Sequence, residues 1–466
     1  MVATSPPLLL NPTVEAMRTL VHGGATAELP WRLEQLTRLE RLLVRARAAL
    51  PAALAADMGR PEAEGLFELA GLRDELQLTR RNLPRWLAPR PVKVPFWALP
   101  GQARVQAQPL GCVLILAPWN YPFQLCMQPL VSALAAGNTV VLKPSEQAPA
   151  TAALVARLIR EQFPPDIVQV VEGDGAIAEA LLDQHFDHIL YTGNGRIGRR
   201  VMAAAARHLT PVTLELGGAC PAIVLAEAEI ATTARRLAWG KSVNAGQTCV
   251  APNHVLVLDS QRQPLTEALI AALRRFHGDA PLASPDLGGI INDRQFARLE
   301  SLLQQARQRG QILHGGRSDA ASRKIEPTLI AAQGPQDPLL SEEIFGPILP
   351  ILGVPDLDTA LGLVQSQPPP LTIYLFGADG RTRQRVQRCS RSGSLVCNDV
   401  IVQAGITALP FGGVGESGMG AYHGWTGFQA FSANRSLLER PFRLDLPFRY
   451  PPYAGKLPLI RRLFAS

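Results

Sequence analysis

The chain has 466 residues, 47% of them apolar, and a net charge of +7. Length and apolar content suffice for two or more domains around large buried cores, which excludes a disordered chain or a small stapled scaffold. The charge is uneven: seven Lys/Arg against two acids fall between Arg435 and Ser466, a net +5, and the nearly neutral remainder carries no basic-aromatic array of the kind that binds nucleic acid.

The six cysteines (112, 126, 220, 249, 389, 397) form no CxxC pair, so neither a disulfide framework nor a zinc site is expected, and a reducing compartment fits best. The stretch MVATSPPLLLNPTVEAM lacks a cationic start followed by an apolar core, the pattern of a secretory signal. Apolar runs such as 112–117 are far shorter than the roughly 20 residues of a membrane-spanning helix. A cytoplasmic, metal-free protein is expected.

Leucines at 33, 36, 39, 42, 43, 50 and 54 predict an amphipathic helix from Trp31 to Asp57. FELAGLRDELQLTRRNLPRWL predicts another, and the proline-rich APRPVKVPFWALPG breaks the pattern. From Val105 the short apolar runs CVLILA, TVVL, IVQVV, HILY and VTLEL alternate with helix-like stretches, which predicts a parallel sheet flanked by helices. A second such series begins near Gly217, with strands expected in ACPAIVLA, NHVLVL, IEPTLI, PILPILGV, LTIYLFG and SLVCND. The fold class is α/β, and on such sheets ligands gather at the carboxyl ends of the strands.

The candidate functional residues sit at those ends. APWNYP follows CVLILA, and Asn120 in it can serve as a fixed amide donor to an oxyanion or as a turn asparagine. TVVLKPSEQ ends a strand at Lys143; Lys143 and Glu146 can meet a phosphate or a ribose diol, or Ser145 and Glu146 can simply cap a helix that starts there. YTGNGRIGRR places Gly193, Gly195 and Gly198 in a GxGxxG turn that opens a helix and suits a pyrophosphate. No unclaimed acid stands about twenty residues on, where the dinucleotide fingerprint has its ribose ligand. Glu215 closes the strand VTLEL before paired glycines, either as a general base for a water or as an ordinary salt-bridged acid. In NAGQTCVAP, Gly246 lets the backbone turn beside Cys249 and face its N–H groups toward an oxyanion, an arrangement that makes the thiol a nucleophile; the alternative is a buried packing thiol. SEEIFGPILP puts Glu342, Glu343 and Phe345 in one tight loop that suits a nicotinamide riboside.

Together APWNYP, LKPSE, TGNGRIG, LELGG, GQTCVAP, EEIFGP and LPFGGVGESGMGAYHG resemble the NAD(P)-dependent aldehyde dehydrogenase superfamily, over about residues 32–431. The short lead, GMGAYHG and RYPPY look like its class 3 branch, which includes fatty and aromatic aldehyde dehydrogenases. The resemblance implies an aldehyde dehydrogenase-like fold. Its parts would be a Rossmann-like dinucleotide-binding domain (1–86 and 109–214), a catalytic domain (215–426), a bridging and oligomerisation arm (87–108 and 427–446) and a basic amphipathic tail (447–466). It implies oxidation of medium- or long-chain aliphatic, apocarotenoid or aromatic aldehydes to acids through a cysteine thioester, with NAD or NADP as cofactor. Cys249 would be the nucleophile, Glu215 the base and Asn120, with the Cys249 N–H, the oxyanion donor. Trp119, Lys143, Glu146, Gly193, Asn194, Gly195, Gly198, Glu343 and Phe345 would hold the cofactor.

Two departures from the family pattern stand out. Gly195-Arg196 and Ala219-Cys220 replace the usual residues, and Arg196 beside the phosphate turn favours a 2′-phosphate. A homodimer is implied; the tail either packs across the dimer or covers the site entrance, or makes a peripheral contact to an anionic membrane. The competing readings are an acylating enzyme that passes the thioester to coenzyme A or phosphate, and a non-catalytic protein on the same scaffold; the presence of Glu215, Cys249 and Asn120 speaks against both.

Overall fold

The computed structural model describes residues 10–443 and 445–464; residues 1–9, on which much of the N-terminal signal reading rests, lie outside them. The first long leucine-rich helix runs Leu29–Met58. Leu36, Leu39, Leu42, Ala46, Leu50 and Leu54 are buried along one side of it, as the 3.6-residue period requires. Gly59 ends it at φ 60°, a left-handed conformation that glycine adopts without a Cβ clash. The chain then reverses into the helix Glu62–Leu87, and both pack with the helix Pro149–Gln162 onto one face of the first sheet.

That sheet has six strands, in the order Gly418–Met419, Val212–Leu216, His188–Gly193, Cys112–Leu116, Thr139–Lys143, Val168–Val170. The five strands read from the sequence are all here and all parallel. Val113, Leu114 and Ile115 are fully buried, because helices cover both faces of a parallel sheet; this is why the runs are continuously apolar rather than alternating. From the central strand the chain winds first to one side and then to the other, which opens a crevice at the carboxyl ends.

The boundary expected between residues 214 and 215 falls inside a strand. Glu215 pairs with Thr192 on one side and with Gly418 on the other, so the first layer continues to Leu216 and the chain crosses over in the turn 217–220. The antiparallel edge strand Gly418–Met419 is likewise a piece of the later segment that completes the first sheet.

The second sheet has seven strands, ordered Ile312–His314, Thr328–Ala331, Ile348–Val354, His254–Leu258, Pro221–Val224, Thr372–Phe376, Ser394–Cys397, parallel except at the first pair. Three of its helices are capped by short polar side chains; Asn292, Asp356 and Asp379 each accept a first-turn N–H, which satisfies donors that the helix itself cannot. A separate three-stranded antiparallel sheet joins Arg90–Val92, Gln102–Pro109 and Ser432–Glu439, paired without a break from Ser432 opposite Pro109 to Glu439 opposite Gln102. Beyond it a short helix, Leu457–Phe464, lays Phe464 against Phe96 and Phe448 at ring distances of 5.8 and 6.1 Å.

Candidate active site

The carboxyl ends of the first sheet and the loops of the second enclose a cavity of about 1080 Å³ lined by Asn120, Glu215, Cys249, Lys143, Glu343 and Phe345, among others. The thiol of Cys249 arrives there on a constrained loop. Asn244, Ala245 and Gly246 are three successive left-handed residues, at φ 49°, 50° and 71°. A Cβ on Gly246 would stand 2.3 Å from the carbonyl oxygen of Gly346, so close approach as well as conformation demands glycine there. Gln247 braces the loop from inside: its Nε2 donates to the carbonyls of Asn244 and Gly289, both at 3.0 Å, and its Oε1 accepts from Ile291 N–H at 3.0 Å.

Asn120 meets this loop directly. Its Nδ2 donates to the Gln247 carbonyl at 3.2 Å, and its own carbonyl accepts from Asn244 Nδ2 at 2.7 Å. One amide hydrogen of Asn120 is thus committed to orientation and the other remains for a ligand.

Glu215 is almost completely buried, and neither carboxylate oxygen has a hydrogen-bond partner. Burial pushes its pKa well above the ordinary carboxylate range. Burial likewise raises the Cys249 thiol, with the nearby Glu215, Cys220 and Glu343 adding to the effect. Burial thus favours the neutral, proton-bearing form of both groups, and the carboxyl adds to the effect on the thiol.

Glu343 occupies space made by the paired glycines. Its Oε1 accepts from Gly218 N–H at 3.2 Å, and a Cβ on Gly217 would lie 2.1 Å from that oxygen. Gly217 is small because Glu343 sits over it. Burial lifts Glu343 to about 7, against the pull of the Gly218 N–H, Arg298 and Lys241. Phe345, at φ 49°, meets Trp119 edge-on with ring centroids 5.3 Å apart.

Lys143 and Glu146 form an ion pair at 3.1 Å. Although partial burial works the other way, its own backbone N–H and Lys143 hold Glu146 below its ordinary pKa. The helix expected to start at Ser145 starts instead at Pro149, whose fixed φ suits the first helical position. Ser145 Oγ accepts from Gln147 N–H within the preceding turn, and the cap comes from far away: Asp57 accepts from the N–H groups of Ala150 and Thr151 at 2.8 and 2.9 Å.

Asn194 caps the helix Gly195–Ala206 by accepting from Ile197 N–H at 3.0 Å. A Cβ on Gly193 would meet Tyr191 Oη at 2.2 Å and one on Gly198 would meet Leu216 at 2.9 Å, whereas at Gly195 only the end of Arg199 comes within 3.3 Å. Gly193 and Gly198 are therefore sterically required and Gly195 is not. The positive end of the helix faces the cavity beside the exposed Arg196.

Sequence reasoning missed the buried charges that reach the site from the helix Glu62–Leu87. Glu64 and Glu68 are buried with Arg60, and Glu64 accepts from Asn244 N–H. Their i, i+4, i+8 spacing in GRPEAEGLFE was the available signal; in sequence it is indistinguishable from a solvated helix face. Among the described residues no group of three or more His, Cys, Asp or Glu is placed to hold a metal, and all six cysteines are free thiols.

The model of the aldehyde dehydrogenase family matches residues 10–437. The chain belongs to the aldehyde dehydrogenase family. Aldehyde dehydrogenase family 3 member H1 of Arabidopsis thaliana is 41% identical over 97% of this chain and 94% of its own length. A Rattus norvegicus protein described as aldehyde dehydrogenase, dimeric NADP-preferring is 40% identical over 96% of this chain and 99% of its own. The substrate-bound Staphylococcus aureus AldH superposes with a TM-score of 0.94 at 38% identity, covering 98% of this chain and 99% of that one. The aldehyde dehydrogenase fold and an aldehyde-oxidising activity are thereby shown for this chain.

Proposed function

We propose that Cys249 carries the aldehyde carbon through oxidation, that Asn120 and the Cys249 N–H hold the oxyanion, and that Glu215 activates the hydrolytic water. The observation that carries this reading is the Glu215 carboxyl, buried in the same cavity as Cys249 with both oxygens unpartnered. As the sulfur attacks the carbonyl its proton leaves to solvent water, and Glu215 is kept for the later, hydrolytic step. The thiohemiacetal oxyanion then meets the free amide hydrogen of Asn120. The cofactor is NAD or NADP, and when bound its nicotinamide supplies the two-electron acceptor.

This chain's residues fit that cofactor. The helix end at Asn194 would take the pyrophosphate, with Gly193, Gly195 and Gly198 in its turn. Lys143 and Glu146 would take the adenosine ribose, and Glu343, Phe345 and Trp119 the nicotinamide riboside. Once the carbon is a thioester on Cys249, Glu215 removes a proton from water and the acid departs. An acylating enzyme would need an acceptor other than water, and a lone carboxyl facing the thioester favours hydrolysis.

The rest of the cavity wall includes Leu125, Trp239, Val243, Ile401 and Phe411, an apolar lining that suits medium or long aliphatic, apocarotenoid or aromatic aldehydes. Assayed by reduced-cofactor absorbance with NAD and with NADP, kcat/KM rises from acetaldehyde to decanal, about tenfold or more on the strength of the added methylenes. Equal values across the series overturn this substrate class, and absence of reduced cofactor with every aldehyde overturns the reading itself.

The enzyme works as a cytoplasmic homodimer, joined through the exposed strand Ser432–Glu439; the rat relative is itself described as dimeric. Among the described residues no helix is long and apolar enough to cross a membrane. The helix Leu457–Phe464 instead sets exposed Leu457, Leu459 and Phe464 near Arg461 and Arg462, next to exposed Phe96 and Trp97, a composition suited to the surface of an anionic bilayer. Deleting the residues after Pro447 lowers activity on long-chain aldehydes in vesicles more than on short ones; equal losses on both overturn the membrane contact.

A further inference from the structure

Three charged side chains, Arg60, Glu64 and Glu68, connect the two loops that build the site. Arg60 lies just before the helix Glu62–Leu87, and its guanidinium is buried. Its Nε pairs with Glu64 Oε2 at 3.1 Å and its Nη1 with Glu68 Oε1. Each member then reaches outward. Both oxygens of Glu64 accept from Asn244 N–H at 3.1 Å, at the first of the three left-handed residues before Cys249. Glu68 Oε2 accepts from Gln124 N–H at 2.8 Å, where the Asn120 loop enters its helix. The Arg60 guanidinium lies 4.8 Å over the ring of Tyr121, and Tyr121 Oη bonds Thr248 Oγ1 at 2.7 Å, one residue before Cys249.

A run of left-handed residues is intrinsically unfavourable for each member that is not glycine. It persists only where the surroundings over-determine it. Here Gln247 holds the loop from inside and the Arg60 cluster holds it from outside, with the Asn120 loop fixed by the same three charges.

We propose that Glu64, held by Arg60 and acting through Asn244, is a positioning residue that sets the Cys249 sulfur and the Asn120 amide in register for acyl transfer. The inference rests on the reading of Cys249 as nucleophile. Glu64 borders the cavity, but its hydrogen bonds run to the Cys249 loop and to Arg60 and not to any residue assigned to the cofactor. Replacing it by glutamine removes the charge that pairs with Arg60 and one of the two acceptors for Asn244 N–H, while volume is kept.

The test uses the full chain and p-nitrophenyl acetate, an activated ester that acylates a thiol without any oxidation. The size of its burst counts competent sites, so rates per site are independent of any unfolded fraction. In Glu64→Gln, per-site acylation and kcat for aldehyde oxidation both fall about 10- to 100-fold, the loss expected of a displacement near 1 Å, while KM for NAD stays within about twofold because the cluster does not reach the cofactor residues. Tyr121→Phe, which deletes only the hydroxyl at Thr248, gives a smaller loss of the same kind and serves where Glu64→Gln does not fold. The double variant loses less than the product of the single losses, since both act on one clamp. Unchanged per-site rates in either soluble variant overturn the proposal, as does a loss confined to KM for NAD. Mass analysis of the acylated parent separates the two readings: the ester carbon on Cys249 with unaffected variants sinks only the positioning role, whereas the ester carbon elsewhere sinks the nucleophile and this inference with it.

Discussion

Replacing Cys249 by alanine abolishes aldehyde oxidation, by about 10⁵-fold or more, the scale on which enzymes lose turnover when a covalent nucleophile is removed. The other nearby sulfur offers no substitute. Cys220 is buried, its Sγ is turned to the Cys249 carbonyl at 3.4 Å, and it does not line the cavity, so it does not present a sulfur to the substrate. The loop itself survives the change, because its left-handed turn is held by Glu64, Gln247 and the close approach of Gly246 to Gly346 rather than by the sulfur. Cofactor binding, followed by quenching of Trp119 and the other indoles, therefore remains within about twofold of the parent, since loss of the nucleophile removes a step and not the site. Oxidation surviving above one part in about a hundred in a variant that binds cofactor normally contradicts covalent catalysis at this position.

The motifs at strand ends were legible because a parallel α/β sheet puts function where its strands stop. CVLILA, TVVL, HILY and VTLEL announce themselves as continuously apolar runs, and the polar residues that follow them, Asn120, Lys143, Asn194 and Glu215, line one cavity. What sequence could not supply were relations between distant residues. Gly217 gives no sign locally that Glu343, 126 positions on, needs its missing side chain. Ser145 looks like a helix cap until Asp57 is found supplying two acceptors to a helix that starts at Pro149. Arg60, Glu64 and Glu68 look like a solvated stripe, because burial of a charge depends on what packs over it and leaves no mark on local spacing. That the position 214/215 lies inside a strand is hidden for the same reason: the edge partner of Glu215 is Gly418, two hundred residues away.

In Glu215→Gln, steady-state oxidation falls about 10²- to 10⁴-fold, the usual worth of a positioned general base, while acylation of Cys249 still gives a burst. The variant accumulates the thioester, which separates this residue from the nucleophile: Cys249→Ala gives no burst at all. The pH dependence follows from the environment of the carboxyl. Burial alone holds its pKa well above the ordinary value, and only the ionised form accepts a proton from water, so hydrolysis of enzyme acylated beforehand accelerates as pH rises toward and through that raised value. Once acylated, the sulfur no longer titrates, and glutamine at position 215 removes the rise; a rise that persists in the variant assigns the base elsewhere. Stability moves the opposite way. A carboxyl whose folded pKa lies above its unfolded one favours the fold fully below the unfolded value, and that contribution is lost as pH climbs through the folded one. Glutamine cannot ionise, so the melting temperature of the variant gains on that of the parent as the solution is made more alkaline, in the range where the parent hydrolyses its thioester fastest. The unpartnered carboxyl that makes Glu215 a base also makes it a local weakness of the fold, and a stability–activity exchange at this one side chain is the expected signature of a proton acceptor kept dry until water arrives with the acyl enzyme.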